Sequence, residues 1–247
     1  SVTFLPRDKV MLADYYNKLA DYYNKQCILL SSSYQFITSH TLTGNPWNIC
    51  VLDDQEVAMS FVDESKIQIL SVIGDVIRPE RTITNKCKCN AIAAAGKGEM
   101  VVNGICGNNK SQWSLINMKG DVKYSHQYDS SSYNCIALNN KKTQVYFSVS
   151  DMNSLLCFDM DGRKQFTYSP DNLNGPRGVA LDRYYNIYVL GFLSNNIHQL
   201  SPDGSVIQVV TKGVPQYPRA ICIYQSKDML IITNKSDSTK LHLYQLK

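Results

Sequence analysis

Apolar residues along this chain fall into short runs broken by polar turns, and no stretch with helix caps keeps a helical period. Examples are Glu99 to Asn103, Gln144 to Val149, Leu155 to Phe158, Asn186 to Leu190 and Ile197 to Leu200. Short runs rich in Val, Ile, Tyr and Phe are β-strands, because branched and aromatic side chains fit a pleated surface and lose rotamer freedom in a helix. The runs also recur in a fixed order. A first apolar run is followed by a polar turn and a second run, then a polar loop and a third run, then a tight turn and a fourth. The tight turn is marked by Lys119-Gly120, Asp161-Gly162 or Asp203-Gly204, where glycine accepts the positive φ of such a turn.

The order repeats along the whole chain. Five segments align: Pro46-Trp47-Asn48-Ile49-Cys50-Val51, Lys88-Cys89-Asn90-Ala91-Ile92-Ala93, Ser132-Tyr133-Asn134-Cys135-Ile136-Ala137, Pro176-Arg177-Gly178-Val179-Ala180-Leu181 and Pro218-Arg219-Ala220-Ile221-Cys222-Ile223. Taking the second residue of each as anchor, the steps are 42, 44, 44 and 42 residues. Ser1-Val2-Thr3-Phe4-Leu5-Pro6 is a sixth copy. A step of this size is one propeller blade of four strands. The expected fold is therefore all-β, a single six-bladed β-propeller over residues 1–247, with antiparallel four-stranded blades near 1–44, 45–86, 87–130, 131–174, 175–216 and 217–247. The last blade has only three runs and lacks its closing strand. Ser1 already opens an innermost strand, so the chain is expected to be a fragment whose preceding residues close the last blade. Leu12–Lys18 is copied at once by Leu19–Lys25, which reads as an insertion between the second and third strands of blade one.

Composition narrows the class. Of the 247 residues 44% are hydrophobic and 19% charged, which is globular, and no apolar run approaches the ~20 residues of a membrane helix. The first ten residues hold a proline and three charges and do not read as a signal peptide. Net charge is +4, too little for a polybasic tail. The eight cysteines are scattered and do not make a disulfide-dense scaffold. Cys50, Cys135, Cys157 and Cys222 lie inside apolar runs, as reduced core cysteines do, so the expected setting is intracellular and cytoplasmic. The N-x-S triplets at Asn109 and Asn234 are too short to specify glycosylation.

Asn174-Gly175-Pro176-Arg177-Gly178-Val179-Ala180-Leu181-Asp182, then Asn186-Ile187-Tyr188-Val189, Asn195-Asn196-Ile197-His198-Gln199-Leu200 and Ser201-Pro202-Asp203-Gly204, resembles the NHL repeat. Leu42-Thr43-Gly44-Asn45-Pro46-Trp47 resembles the propellers that end invertebrate tripartite-motif proteins. The resemblance spans all six repeats and is nearest in the fifth; repeats two to four lack Pro-x-Gly. It implies a recognition module carried behind a RING, B-boxes and a coiled coil, binding a protein partner, a ubiquitination substrate or single-stranded RNA. The domain itself would be no enzyme, although the full-length protein could be a RING-type ubiquitin ligase.

Innermost strands of a propeller begin at one rim of its channel, so the anchors Val2, Trp47, Cys89, Tyr133, Arg177 and Arg219 are expected to ring that mouth. Arg177 and Arg219 would supply charge for carboxylate or phosphate, Trp47 and Tyr133 contact area, and Lys88 lies on the same rim. The other reading is that both arginines pack by their stems and pair with neighbours such as Asp171. The expected occupant is a protein or peptide, with single-stranded RNA as the alternative. No cofactor or metal is expected. Cys87-x-Cys89 lacks a second ligand pair, Asp159-Met160-Asp161-Gly162 lacks the closing glutamate of a calcium loop, and His40, His126, His198 and His242 show no ligand spacing and fall on outer strands. Neither a Walker loop nor a G-x-S-x-G elbow occurs. A calcium-dependent propeller lactonase or esterase is a further reading. So is a structural module that oligomerises through the open edge of the last blade.

Overall fold

Each repeat folds as one antiparallel meander. In the computed structural model, which describes residues 1–14, 25–61, 64–107, 110–132, 135–237 and 240–246, the chain is a six-bladed β-propeller. Its contacts group into two units, Ser1–Asp129 and Ser130–Lys247. The first unit holds three blades. These are β1 (Val2–Phe4), β2 (Val10–Asp14), β3 (Gln26–Leu30) and β4 (Phe36–Thr41); β5 (Pro46–Val51), β6 (Glu56–Phe61), β7 (Lys66–Ile73) and β8 (Val76–Thr84); and β9 (Lys88–Gly96), β10 (Glu99–Ile105), β11 (Ser111–Asn117) and β12 (Val122–Tyr128). The second unit holds β13 (Cys135–Leu138), β14 (Gln144–Val149), β15 (Ser154–Asp159) and β16 (Lys164–Tyr168); β17 (Pro176–Leu181), β18 (Ile187–Gly191), β19 (Asn196–Leu200) and β20 (Val206–Val210); and the three-stranded β21 (Pro218–Tyr224), β22 (Met229–Asn234) and β23 (His242–Gln245). The repeated heptad Leu19–Lys25 lies largely outside the described residues, between β2 and β3.

Burial follows from stacking sheets face to face. A middle strand is covered on both faces, so its two-residue alternation disappears: Val57 to Phe61, Val145 to Val149 and Ile187 to Gly191 are buried without a break. Outermost strands are exposed by comparison, and β12, β16 and β20 contain no fully buried residue. Met11, Leu29, Met59, Phe61 and Leu70 form one inter-sheet core of the first unit, and Ile67, Ile69, Ile92, Met100 and Ile116 the next. In the second unit Tyr146, Leu155, Leu173, Val189 and Leu200 make one layer, and Leu190, Ile197, Leu230 and Ile232 another.

Turns between strands are held by side-chain oxygens that accept main-chain N–H groups. Asp53 accepts from Gln55 and Glu56, Asn117 from Lys119 and Asp121, Asp159 from Asp161 and Arg163, and Asp182 from Tyr184 and Asn186. This local bond is why Asx residues recur there. The Asp-Gly hairpins form as expected, with Gly162 at φ 83° and Gly204 at φ 89°.

One feature departs from the expectation of unpaired cysteines. Cys87 and Cys106 form a disulfide, with Cα atoms 4.6 Å apart, while the six other cysteines are free thiols. The cause is local. The register of β9 against β10 slips between Asn103 and Gly104, so that Lys88 faces Ile105 and the flanking cysteines face each other. Any side chain at Gly104 would strike the Lys88 carbonyl, so glycine is what lets the two strands approach there. Cys87 is thus no metal ligand. Its neighbour Cys89 is fully buried, receives a hydrogen bond from Asn85 Nδ2 at 3.0 Å and has its thiol pushed up to about 11 by burial.

Candidate functional site

Anchor positions fall where the first strand of a blade bulges. The register shifts between Pro46 and Asn48, between Pro176 and Val179, and between Pro218 and Ala220, which leaves Trp47, Arg177 and Arg219 outside the ladder. A bulge of this kind re-aims a side chain. It does not do so at every anchor. Val2 and Cys89 are 4% and 0% exposed, so they are core residues and line no mouth. Tyr133 lies outside the described residues. In the first unit Trp47 is half-buried on β5 and Lys88 is exposed at the start of β9. In the second unit Arg177 and Arg219 hold matching places on the adjacent strands β17 and β21, both half-buried. The histidines lie on outer strands, as expected: His40 and His126 on fourth strands, His198 and His242 on third strands.

Arg177 has the most developed surroundings. Ser148 Oγ bonds to its carbonyl oxygen. Its guanidinium lies over the Phe192 ring, 5.0 Å from the centroid, and Phe192 in turn meets Tyr217 at 5.4 Å. Burial pushes the guanidinium below its ordinary value, although it stays charged at neutral pH. Its Nε is buried without an acceptor, and among the described residues no ion pair involves Arg177, Asp171 included. A cation taken from water and left without a carboxylate is uncommon in a finished core.

The loops around Arg177 are stitched to one another. Asn153 Oδ1 accepts from Gly175 N at 2.8 Å, Asn174 O accepts from Leu193 N at 3.0 Å, and Asn195 Oδ1 accepts from Tyr217 N at 2.7 Å. Tyr217 also accepts from Lys235 N through its carbonyl. Gly175-Pro176 and Tyr217-Pro218 are equivalent, and both first residues are left-handed, Gly175 at φ 54° and Tyr217 at φ 52°. Glycine takes this conformation freely, whereas a side chain there costs roughly 1–2 kcal/mol. Tyr217 carries that cost while 43% exposed. Leu193 is 60% exposed and Met152 42%, so three large apolar side chains stand open on this one rim. Charge adds to the picture. Residues 130–247 hold twelve Lys and Arg against eight Asp and no Glu, and residues 1–129 hold thirteen of each sign, so the whole excess of +4 belongs to the second unit.

Sequence reasoning missed Phe192 and Tyr217. The signal for Tyr217 was present, since it stands where the preceding repeat has glycine before proline.

Two further features that could carry chemistry, a concavity in the second unit and the Asp159 turn, have their polar groups engaged. A shallow concavity of about 450 Å³ in the second unit is lined by Asn139, Lys141, Asp159, Gln165 and Tyr185 among others. Asn139 Oδ1 is engaged by Thr143 and Gln144, and Asp159 by Asp161, Arg163 and Gln165. Asp159-Met160-Asp161-Gly162 is accounted for as this turn. No group of three His, Cys, Asp or Glu side chains among the described residues is placed to hold a metal ion. Among the described residues no helix is long and apolar enough to cross a membrane.

The fold defines the class of protein as a six-bladed β-propeller, and comparison with known proteins agrees. A protein of unknown function from Bacteroides caccae superposes with a TM-score of 0.72 at 12% identity, over 96% of this chain and 89% of that one. The propeller domain of Cps50 (Swd1) from Myceliophteria thermophila gives 0.72 at 9% identity, over 100% and 83%. Virginiamycin B lyase from Staphylococcus aureus, a catalytically inactive form with quinupristin, gives 0.71 at 15% identity, over 99% and 83%. Likeness at these identities is one of fold. No family model matches the sequence, and no curated protein is similar to it in sequence.

Proposed function

We propose that this chain is a non-catalytic recognition propeller that binds a protein or peptide partner at the rim around Arg177. The observation that carries the reading is the half-buried guanidinium held over Phe192 without an acidic partner among the described residues. Arginine at such a place is suited to bidentate capture of a carboxylate from outside. Arg219, at the matching place on the next blade, extends the same rim. Trp47 and Lys88 are kept as candidates on the corresponding strands of the first unit, and Tyr133 as a candidate from sequence alone.

The NHL-like repeat over residues 174–204 supports a place as the targeting module of a tripartite-motif-like protein, where the partner would be a ubiquitination substrate. Six free cysteines suit a cytoplasmic setting, with the Cys87–Cys106 bridge as a local exception. The test is affinity capture with the purified chain against its Arg177→Gln/Arg219→Gln variant. Partners retained by the first and lost by the second support the reading; an identical set in both refutes it. A random single-stranded RNA pool at low and near-physiological salt is the companion measurement. The expected result is weak binding, erased by salt in both proteins alike.

A further inference from the structure

We propose that the occupant of this rim is an extended peptide carrying a carboxylate side chain close to a bulky apolar one, with the carboxylate on Arg177 and the apolar group against Leu193 and Tyr217. The proposal rests on the recognition reading above and goes further in naming the partner's chemistry.

Three independent observations converge. Charge complementarity is the first. Arg177 has a desolvated guanidinium with a buried Nε and no acid beside it among the described residues, in the unit that holds the whole positive excess of the chain. Asp151, which stands next to Met152, is already engaged by Ser130, Ser131 and Ser132, so its acceptors are taken up by the segment between β12 and β13. An incoming carboxylate therefore has an empty place to fill.

Backbone strain is the second. The fold needs only a left-handed residue at 217, which glycine supplies at the equivalent position 175. A tyrosine there is held by hydrogen bonds from its N–H to Asn195 Oδ1 and to its carbonyl from Lys235 N–H. Its ring leans on Phe192, and the residue keeps 43% of its surface in water. Strain kept at a position where the fold has a cheaper solution points to a use for the side chain.

The third is the continuity of exposed apolar surface. Leu193 packs beside Gly175 and stands 60% exposed, and Met152 is 42% exposed on the loop whose Asn153 anchors Gly175. Single exposed apolar residues are ordinary, but a set joined by one hydrogen-bonded group of loops is an interaction surface. The same set argues against nucleic acid. Leu193 and Met152 offer no flat π-face for a base, and a single pair of arginines, Arg177 and Arg219, does not make the basic track that follows a phosphate backbone.

The experiment uses the full chain and four fluorescein-labelled degenerate eleven-residue peptide pools, read by anisotropy. The pools are fixed at their centre as Glu-Phe, Gln-Phe, Glu-Ser and Gln-Ser, and a poly(U) 20-mer is the nucleic-acid arm. The Glu-Phe pool is expected to bind about tenfold tighter than either single replacement, the size of one well-made charged or apolar contact. Arg177→Gln should abolish the preference for Glu while keeping that for Phe. Tyr217→Gly should do the reverse, and it suits the left-handed backbone, so its thermal unfolding should match the parent chain. A preference for Glu that depends on Arg177 but ignores Phe would overturn the proposed occupant and leave the recognition reading standing. Equal binding of all four pools by both variants, with an unchanged set of captured partners, would sink both. Tighter binding of poly(U) than of the Glu-Phe pool would also overturn the peptide.

Discussion

Replacing Asp182 by alanine should cost about 3 kcal/mol of stability. The carboxylate is 4% exposed and accepts four hydrogen bonds. Its Oδ1 takes Tyr184 N at 2.8 Å and Asn186 N at 2.9 Å, and its Oδ2 takes Asn186 Nδ2 at 2.8 Å and Tyr188 OH at 3.3 Å. Tyr184 stands in the exposed part of the turn, where water can replace the lost acceptor. The Asn186 main chain and the buried Tyr188 hydroxyl cannot be rehydrated so easily. A hydrogen bond to a charged acceptor contributes about 1.5–3 kcal/mol net, so losing two such bonds at the lower end gives about 3 kcal/mol. For a chain of this size that is a fall in Tm of roughly 6–12 °C. Asp182→Asn keeps one acceptor oxygen for the two main-chain groups but turns an amide N–H toward Asn186 Nδ2, so about half the loss is expected. Thermal and urea unfolding followed by circular dichroism measure both. An alanine variant within 0.5 kcal/mol of the parent, by this reasoning, would mean that turn oxygens do not hold the blades.

Gly104→Ala should be more damaging than a surface glycine change, at about 2 kcal/mol or more, because the new carbon meets main chain and not a movable side chain; denaturant midpoints compared with Gly107→Ala, where an added carbon meets open space, check this. Reduction of Cys87–Cys106 should raise the thiol count of the unfolded chain from six to eight and lower Tm without unfolding the protein. The bridge closes a loop of 19 residues in the unfolded chain, so the loss should be about 3 kcal/mol. On the alkaline side, burial raises the folded thiols of Cys27 and Cys89 from 9.0 to about 11. Their contribution is therefore fully present below pH 9 and lost as pH rises from there toward 11, and a urea midpoint that stays flat across that window would contradict the burial of these thiols.

Much of the architecture was legible because one local rule is repeated. Apolar runs of strand length, Asp-Gly turns and a first-strand anchor recur every 42 to 44 residues, and each run formed a strand of the expected sheet. The three-stranded last blade was visible as a missing run. Side-chain direction was less accessible. Anchors align in sequence, yet a bulge turns Trp47, Arg177 and Arg219 out of the ladder while Val2 and Cys89 stay in the core, and register at a bulge depends on partners a strand away. The disulfide was hidden for the same reason. Cys87 and Cys106 are 19 residues apart, and only the slip at Gly104 brings them opposite each other. Phe192 follows the end of β18 in the loop before β19, where strand alternation no longer says which way a side chain points, so its place under Arg177 had no periodic signature.

The three-stranded blade also sets an order of opening within the second unit. Third strands elsewhere are sealed on both faces: Leu155 and Leu200 are fully buried, whereas Leu243 on β23 is 41% exposed. Pairing of β23 to β22 runs over Ile232↔His242 to Met229↔Gln245 only, and no strand among the described residues covers its far side. Native-state hydrogen exchange should therefore be graded. Amides of β23 exchange first through fraying that needs no global unfolding, while those of β18, buried along its whole length, wait for the largest opening the unit makes.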